Sequence, residues 1–327
     1  QPAATGAQMD LFAAGDDDDA GGLHDVKTIE DVKPDYKLVD TAEGRKALAE
    51  ALNAVKCFCF DTETTGLDQQ TADLVGLCFS TKKGEGYYIP VPANRDEAVA
   101  IVKEFAEPFE NESIEKVAQN IKYDLTILKR YDQDVKGPLF DTMIAHYLFQ
   151  PDMKHGMDLL AETYLQYKPI SIETLIGKKG KNQLSMGDIE PEKVKDYAAE
   201  DADITLQLKE LFEPKLKDGN IEHLFRDMEI PLTKVLTRME MEGVNLDTDV
   251  LSTFSDELGE ALIGLRESIL KHAGVDFNVD SPKQLGEVLF DHMKLDAKAK
   301  KTKTGQYQTN EDTLSRLVAK HEIIQDI

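Results

Sequence analysis

Three early stretches of the chain alternate or run apolar: "KCFCFDT" at 56–62, "LVGLCFST" at 74–81 and "GYYIPV" at 86–91. They predict strands. The period then changes. A helix is expected over about 95–107, a short strand at "EKVAQ" (115–119), and helices over about 121–131, 141–149 and 157–166. Residues 171–190 carry loop composition with short helical pieces. A long helix is expected from Glu192 to about Phe212, and another from about Asn220. The second carries Leu224, Met228, Leu232, Val235 and Met239 on one face, which predicts a buried stripe, and Gly243 stops it. A further long helix spans 247–272, followed by two short helices around a lysine-rich loop.

Strands first, with helices interleaved later, predict an α/β fold: a mixed sheet flanked by helices, then an all-α region. Residues 1–35, with their "DDDD" run and few apolar positions, are expected to form a disordered acidic leader. The sheet domain is placed at 36–215 and the helical region at 216–327.

The 327 residues allow two domains. Acidic residues outnumber basic ones 62 to 38, for a formal charge of −24. This excludes a protein that holds polyanions by bulk charge; such contacts must be local or carried by metal ions. Cys57, Cys59 and Cys78 sit in strand-like runs without zinc-type spacing, as expected of reduced thiols in a cytoplasmic protein. No apolar stretch is long enough to span a membrane.

Several acids interrupt apolar faces. The alternating face Val55, Cys57, Cys59 continues into Asp61 and Glu63, so both carboxylates leave the same side of the strand. In "AQNIKYDLTILKRY", Asn120 is expected to cap a helix whose stripe Ile121, Asp124, Leu125, Leu128 turns Asp124 inward. In "VKDYAAEDADITLQL", Asp201 lies mid-helix on a stripe of Val194, Tyr197, Ala198, Ile204, Thr205 and Leu208. Glu200 and Asp203 are expected to point to solvent. A solvated strand end or a helix dipole accounts for either of the first two sites alone. Neither accounts for Asp201. Four inward carboxylates without partners cost several kcal/mol each, and Mg²⁺ or Mn²⁺ removes that cost with oxygen ligands. Two such ions about 3.5–4 Å apart serve phosphoryl displacement.

These segments resemble the three motifs of the DEDD exonuclease superfamily in its tyrosine branch: Asp61-x-Glu63, Asn120-x-x-x-Asp124 and Tyr197-x-x-x-Asp201. "NIKYD", "GKKGKNQL" and "YAAEDADITLQL" are similar to the proofreading domain of the bacterial family A DNA polymerases. "EIPLTKVLTRMEMEGVNLD" and "SPKQLGEVLF" are similar to the start of their thumb. The resemblance implies a ribonuclease H-like sheet followed by a partial thumb, and removal of nucleotides from DNA 3′ ends with two metal ions on Asp61, Glu63, Asp124 and Asp201. It implies that Glu63 and Tyr197 address the attacking water, that Leu67 wedges beside the terminal base, and that Thr64, Asn120 and Tyr123 lie near the strand. Ile172 falls where the family often has an aromatic residue. Lys294, Lys298, Lys300, Lys301 and Lys303 match the tip of the thumb, where phosphate contacts need cations; Lys178, Lys179 and Lys181 form a second basic loop. The chain is expected to lack palm and fingers, and with them polymerisation. The other function class is a non-catalytic scaffold that holds DNA and docks replication proteins; the intact carboxylates favour the enzyme. In the leader, Gln8, Leu11 and Phe12 of "QMDLF" resemble a peptide that docks on a sliding clamp.

Overall fold

The computed structural model describes residues 26–327. They divide into two compact units after Gly243. The first is built on one six-stranded sheet in the order β1-β4-β3-β2-β5-β6. The strands are β1 (Asp35–Leu38), β2 (Cys57–Thr64), β3 (Leu74–Ser80), β4 (Glu85–Pro90), β5 (Glu115–Ala118) and β6 (Leu139–Asp141). The pairs β2–β3 and β3–β4 are antiparallel, and the pairs β1–β4, β2–β5 and β5–β6 are parallel. This is the expected mixed sheet. Short β1 and β6 and the helix α1 (Ala42–Asn53) add to it.

The leader expected to run unstructured to residue 35 is ordered earlier. Lys27 bridges to Tyr167, and Ile29–Val32 forms one helical turn before β1. The "DDDD" run and the "QMDLF" peptide lie outside the described residues.

One face of the sheet is aromatic. Phe58, Phe60 and Phe79 meet Phe105 and Phe109 around α2 (Arg95–Glu104) and α3 (Ala106–Glu110), with ring centroids 5.0–6.0 Å apart. Aromatic groups at this spacing attract beyond their burial. The opposite face carries Asp61 and Glu63 and is covered by α6 (Pro191–Asp218). Ala198, Ala199 and Ala202 let this helix lie close to the strands. The approach is close at Gly86, where a Cβ would sit 2.7 Å from the Ala199 carbonyl oxygen.

Because α6 is buried on every side from Ala198 to Leu206, two residues expected in solvent are not there. Glu200 is fully buried and Asp203 is 2% exposed. Glu200 accepts hydrogen bonds from the Tyr167 hydroxyl and the Ile170 N–H, and burial pushes its carboxyl up to about 7. Asp203 accepts from the Tyr36 hydroxyl, the Gly84 N–H and Gln207, each at 2.9 Å. Both acids therefore fasten loops and the edge strand to α6.

The stripe expected to be buried between 224 and 239 also turns the other way. Met228, Leu232, Val235 and Met239 are exposed. The buried side of α7 (Ile230–Glu242) carries Ile230, Thr233 and Thr237. The threonine hydroxyls donate to the carbonyls of Glu229 and Thr233, at 3.0 and 2.9 Å, which removes the cost of burying them. Helix α7 belongs to the first unit, beyond the boundary placed at 215/216. Its Glu240 pairs with Lys122 and accepts from Gln69.

Asn120 does not cap the helix α4 (Ile121–Arg130) as expected. It takes a left-handed conformation (φ 58°) and its side chain makes no cap bond. Asp141 supplies the cap instead. It accepts from the N–H groups of Asn120 (3.2 Å) and Ile121 (2.8 Å), and from those of Met143 (2.8 Å) and Ile144 (3.2 Å) at the start of α5 (Thr142–Phe149). One carboxylate thus starts two helices.

The second unit begins at Val244. Asp247 caps α8 (Thr248–Ala273), whose last turns place Ile269 and Ala273 against Leu285, Leu289, Phe290, Leu317, Ile323 and Ile324. Lys300 and Gln308 close a small loop that carries Lys301 and Lys303. No helix among the described residues is long and apolar enough to cross a membrane.

The double cap makes a prediction. Asp141→Ala should lower the unfolding free energy by roughly 1–4 kcal/mol, the loss of two caps of about 0.5–2 kcal/mol each. Asp141→Asn should cost less. Urea denaturation measures both; an alanine variant as stable as wild type would contradict the shared cap.

Candidate metal centre

Strand β2 ends at the site. Its residues from Phe58 to Phe60 are fully buried, and Asp61 and Glu63 follow on the face toward α6. Asp61 is partly exposed, whereas Glu63 is 7% exposed. The ladder shifts register between Glu63 and Thr64. That irregularity ends the pairing and turns the chain outward.

Helix α4 brings Asp124 to this strand. Its Oδ1 accepts from both the N–H and the hydroxyl of Thr62, at 3.0 and 2.6 Å. Helix α6 brings Asp201, with Tyr197 one turn before it. Asp124 and Asp201 are buried, and Tyr197 is half-buried. The three segments singled out in the sequence therefore converge.

Each of these groups is shifted by burial, and most of them by their acidic neighbours. Burial pushes the Asp61 carboxyl up to about 6. Burial first, and then the charge of Asp61, holds Glu63 and Asp124 well above the carboxylate range. Asp201 is raised by burial and then by Asp61 and Glu63. Burial and the Asp201 charge raise the Tyr197 hydroxyl, so it remains a proton donor. No lysine or arginine is among the groups that shift these four carboxyls. Glu63 Oε1 and Asp201 Oδ1 are buried and accept no hydrogen bond from any described residue. Buried acceptors without donors are rare. An all-oxygen set with two orphaned acceptors fits a hard divalent cation.

Cys78, expected to be a plain reduced thiol, also lies here. Cys78 of β3 stands directly opposite Asp61 in the ladder. Ligand atoms of Asp61, Glu63 and Cys78 all lie within 4.8 Å of one another. Only the strand register, which the sequence does not display, could have revealed it.

Leu67 is 89% exposed just beyond β2. Thr64 and Tyr123 hold its turn: their hydroxyls are 2.6 Å apart, and both donate to the Gly66 carbonyl, at 2.9 and 2.7 Å. Asn120 is four residues from Asp124, at the head of α4. Ile172 is 40% exposed, and Lys178, Lys179 and Lys181 are exposed. Lys300, Lys301 and Lys303 belong to the second unit and are exposed, with Lys301 4.1 Å above the Tyr307 ring. Gln8, Leu11 and Phe12 lie outside the described residues.

Comparison with known families places this geometry. A family model described as 3'-5' exonuclease matches residues 36–217, which contain all four carboxylates and Tyr197. The chain belongs to the 3'-5' exonuclease family. A second model, DNA polymerase family A, matches residues 248–327. The DNA polymerase I of Borreliella burgdorferi is 37% identical over 310 residues, 93% of this chain and 33% of that protein. That of Pseudomonas aeruginosa is 36% identical over 310 residues, 91% of this chain and 34% of that protein. The chain thus spans about a third of the length of these curated relatives. Among solved structures, the POL domain of Pol1 from M. smegmatis, in complex with DNA primer-template and dNTP, shares the fold. Its TM-score is 0.69 at 24% identity, covering 89% of this chain and 47% of that one. The resemblance to family A polymerases expected from the motifs is borne out, as is the exonuclease-type fold.

The raised carboxyls set a pH dependence. Their folded-state pKa values lie above the roughly 4 of an unfolded chain, so the folded protein binds more protons between the two. Stability is then present at low pH and lost as pH rises through about 6 and above. In EDTA, the melting temperature should rise on going from about pH 8 to about pH 6. The gain should shrink in Asp201→Asn. A flat or opposite profile in this window would contradict the buried cluster.

Proposed function

We propose that the first unit is a 3′–5′ exonuclease that hydrolyses the terminal phosphodiester of a DNA 3′ end. The observation that carries this is the meeting of four carboxylates from β2, α4 and α6, two of them with orphaned oxygens, in the exonuclease-family region. Asp61, Glu63, Asp124 and Asp201 would hold two Mg²⁺ or Mn²⁺ ions. When bound, such ions neutralise the phosphate and activate the attacking water.

The chain's own groups do the rest. Glu63 and the Tyr197 hydroxyl face the site together and orient that water. Thr62 fixes the rotamer of Asp124 through two hydrogen bonds to one oxygen. Leu67, on the turn braced by Thr64 and Tyr123, offers an apolar edge for the terminal base, and Asn120 lies where the strand would pass. The half-buried site is reached only by an unpaired end. Unpairing costs a few kcal/mol, and least at a mismatch. The second unit is proposed as the start of a polymerase thumb, with Lys300, Lys301 and Lys303 on the phosphate backbone. The "QMDLF" peptide is proposed, on sequence alone, to dock on a sliding clamp through Leu11 and Phe12.

The test is release of nucleotides from a 3′-labelled single-stranded oligonucleotide with Mg²⁺ or Mn²⁺. EDTA should stop it. Asp201→Ala should abolish hydrolysis while leaving the protein folded, and should weaken the stabilisation that Mn²⁺ gives. Persistence of wild-type activity in that variant would refute the assignment. Tyr197→Phe should be milder, since the ring packing is kept.

Mismatched 3′ ends should be cut faster than paired blunt ends, and Leu67→Ala should reduce cutting of paired ends most. Equal rates on both ends in the wild type would remove the unpairing requirement.

A further inference from the structure

We propose that Cys78 adds a sulfur donor to the carboxylate centre, so that the site also takes a thiophilic divalent cation, zinc or cadmium, in competition with Mg²⁺ or Mn²⁺. The inference rests on the metal reading of the same carboxylates and concerns a residue that reading does not use.

The geometry carries it. Strands β2 and β3 are antiparallel, and Asp61 pairs with Cys78. Directly opposed residues project to the same face of a sheet, with Cβ atoms about 4.5–5.5 Å apart. Glu63, two residues along β2, shares that face. The three side chains therefore form a triangle whose ligand atoms lie within 4.8 Å of one another. Zn–S of about 2.3 Å and Zn–O of about 2.0–2.2 Å set ligand atoms roughly 3.5 Å apart around a tetrahedral ion, so the triangle has to close onto the ion by side-chain rotation.

A second observation points to a ligand in the same place. Glu63 is 7% exposed and its Oε1 has no hydrogen-bond partner; Asp201 is 7% exposed and its Oδ1 likewise has none. The triangle thus contains a buried oxygen with no partner among the described residues. Cys78 itself is fully buried and free.

The other cysteines differ. The Cys59 thiol donates to the Phe60 carbonyl at 3.8 Å, and Cys57 lies further back along β2. Neither belongs to the triangle.

Donor chemistry then sets the selectivity. Magnesium and manganese bind oxygen and gain little from sulfur. Zinc and cadmium favour thiolate. Binding would displace the thiol proton to solvent and leave a mixed carboxylate–thiolate set. With Cys78 engaged, Asp61 and Glu63 would be taken up by the softer ion and withheld from the hard ones. Zinc would then act as an inhibitor of the exonuclease, through one cysteine.

The experiment uses the full chain stripped with EDTA. Cadmium is titrated while the ultraviolet thiolate-to-metal charge-transfer absorption is followed, in wild type, Cys59→Ser, Cys78→Ser and Cys78→Ala. Wild type and Cys59→Ser should develop the band at one equivalent, and both Cys78 variants should lack it. Competition titrations then give the ratio of zinc to manganese affinity. It should fall by about tenfold or more on loss of the sulfur donor. Circular dichroism checks the fold, and two different replacements guard against a single misfolded variant. A band that survives in both Cys78 variants, or an unchanged affinity ratio, overturns the proposal. Wild-type protein that binds manganese but gives no band overturns the sulfur donor alone. Wild-type protein that binds neither ion overturns the metal reading beneath it.

Discussion

The structure depends on a repulsion that it does not relieve by itself. Asp61, Glu63, Asp124 and Asp201 are brought to one place by a strand end and two helices, and no cation of the chain is among the groups that perturb them. Burying like charges is among the most unfavourable things a fold can do. The surrounding elements have to be firm enough to impose it. The aromatic layer behind β2 and the alanine-lined seat of α6 supply that firmness, and the shared Asp141 cap fixes where α4 begins. The fold holds the acids in place against their mutual repulsion.

Much of this was legible in the sequence, for a reason that also marks its boundary. A carboxylate in an apolar stripe stands out against the periodicity, so Asp61, Glu63, Asp124 and Asp201 could be found one element at a time. Cys78 has the opposite property. A thiol in an apolar strand blends in, and its meaning depends on which residue of another strand lies across from it. The loop 65–73 and the register shift after Glu63 decide that pairing. Asp141 was hidden in the same way: it caps its own helix in an ordinary manner, while its bonds to Asn120 and Ile121 are tertiary.

Two departures from expectation share one physical cause: a helix need not show its apolar side to the core and its polar side to water. The middle of α6 has no such sides, because partners surround it from Ala198 to Leu206; Glu200 and Asp203 are buried and satisfied. Helix α7 reverses them. Thr233 and Thr237 can face inward because each hydroxyl bonds back to the preceding turn, which leaves Met228, Leu232, Val235 and Met239 outside. Periodicity locates a face but does not say which face is covered.

Gly86 gives the arrangement its scale. Its missing side chain is what lets the backbone of α6 settle onto β4, with the Ala199 carbonyl where a methyl group would otherwise be. Asp201 is two residues further along the same rigid helix, while Asp61 and Glu63 are fixed to the sheet below. The height of the helix above the sheet is therefore also the width of the gap between the two halves of the carboxylate set. A single hydrogen atom, on a residue with no chemistry of its own, works as the spacer that sets how far Asp201 stands from Asp61 and Glu63.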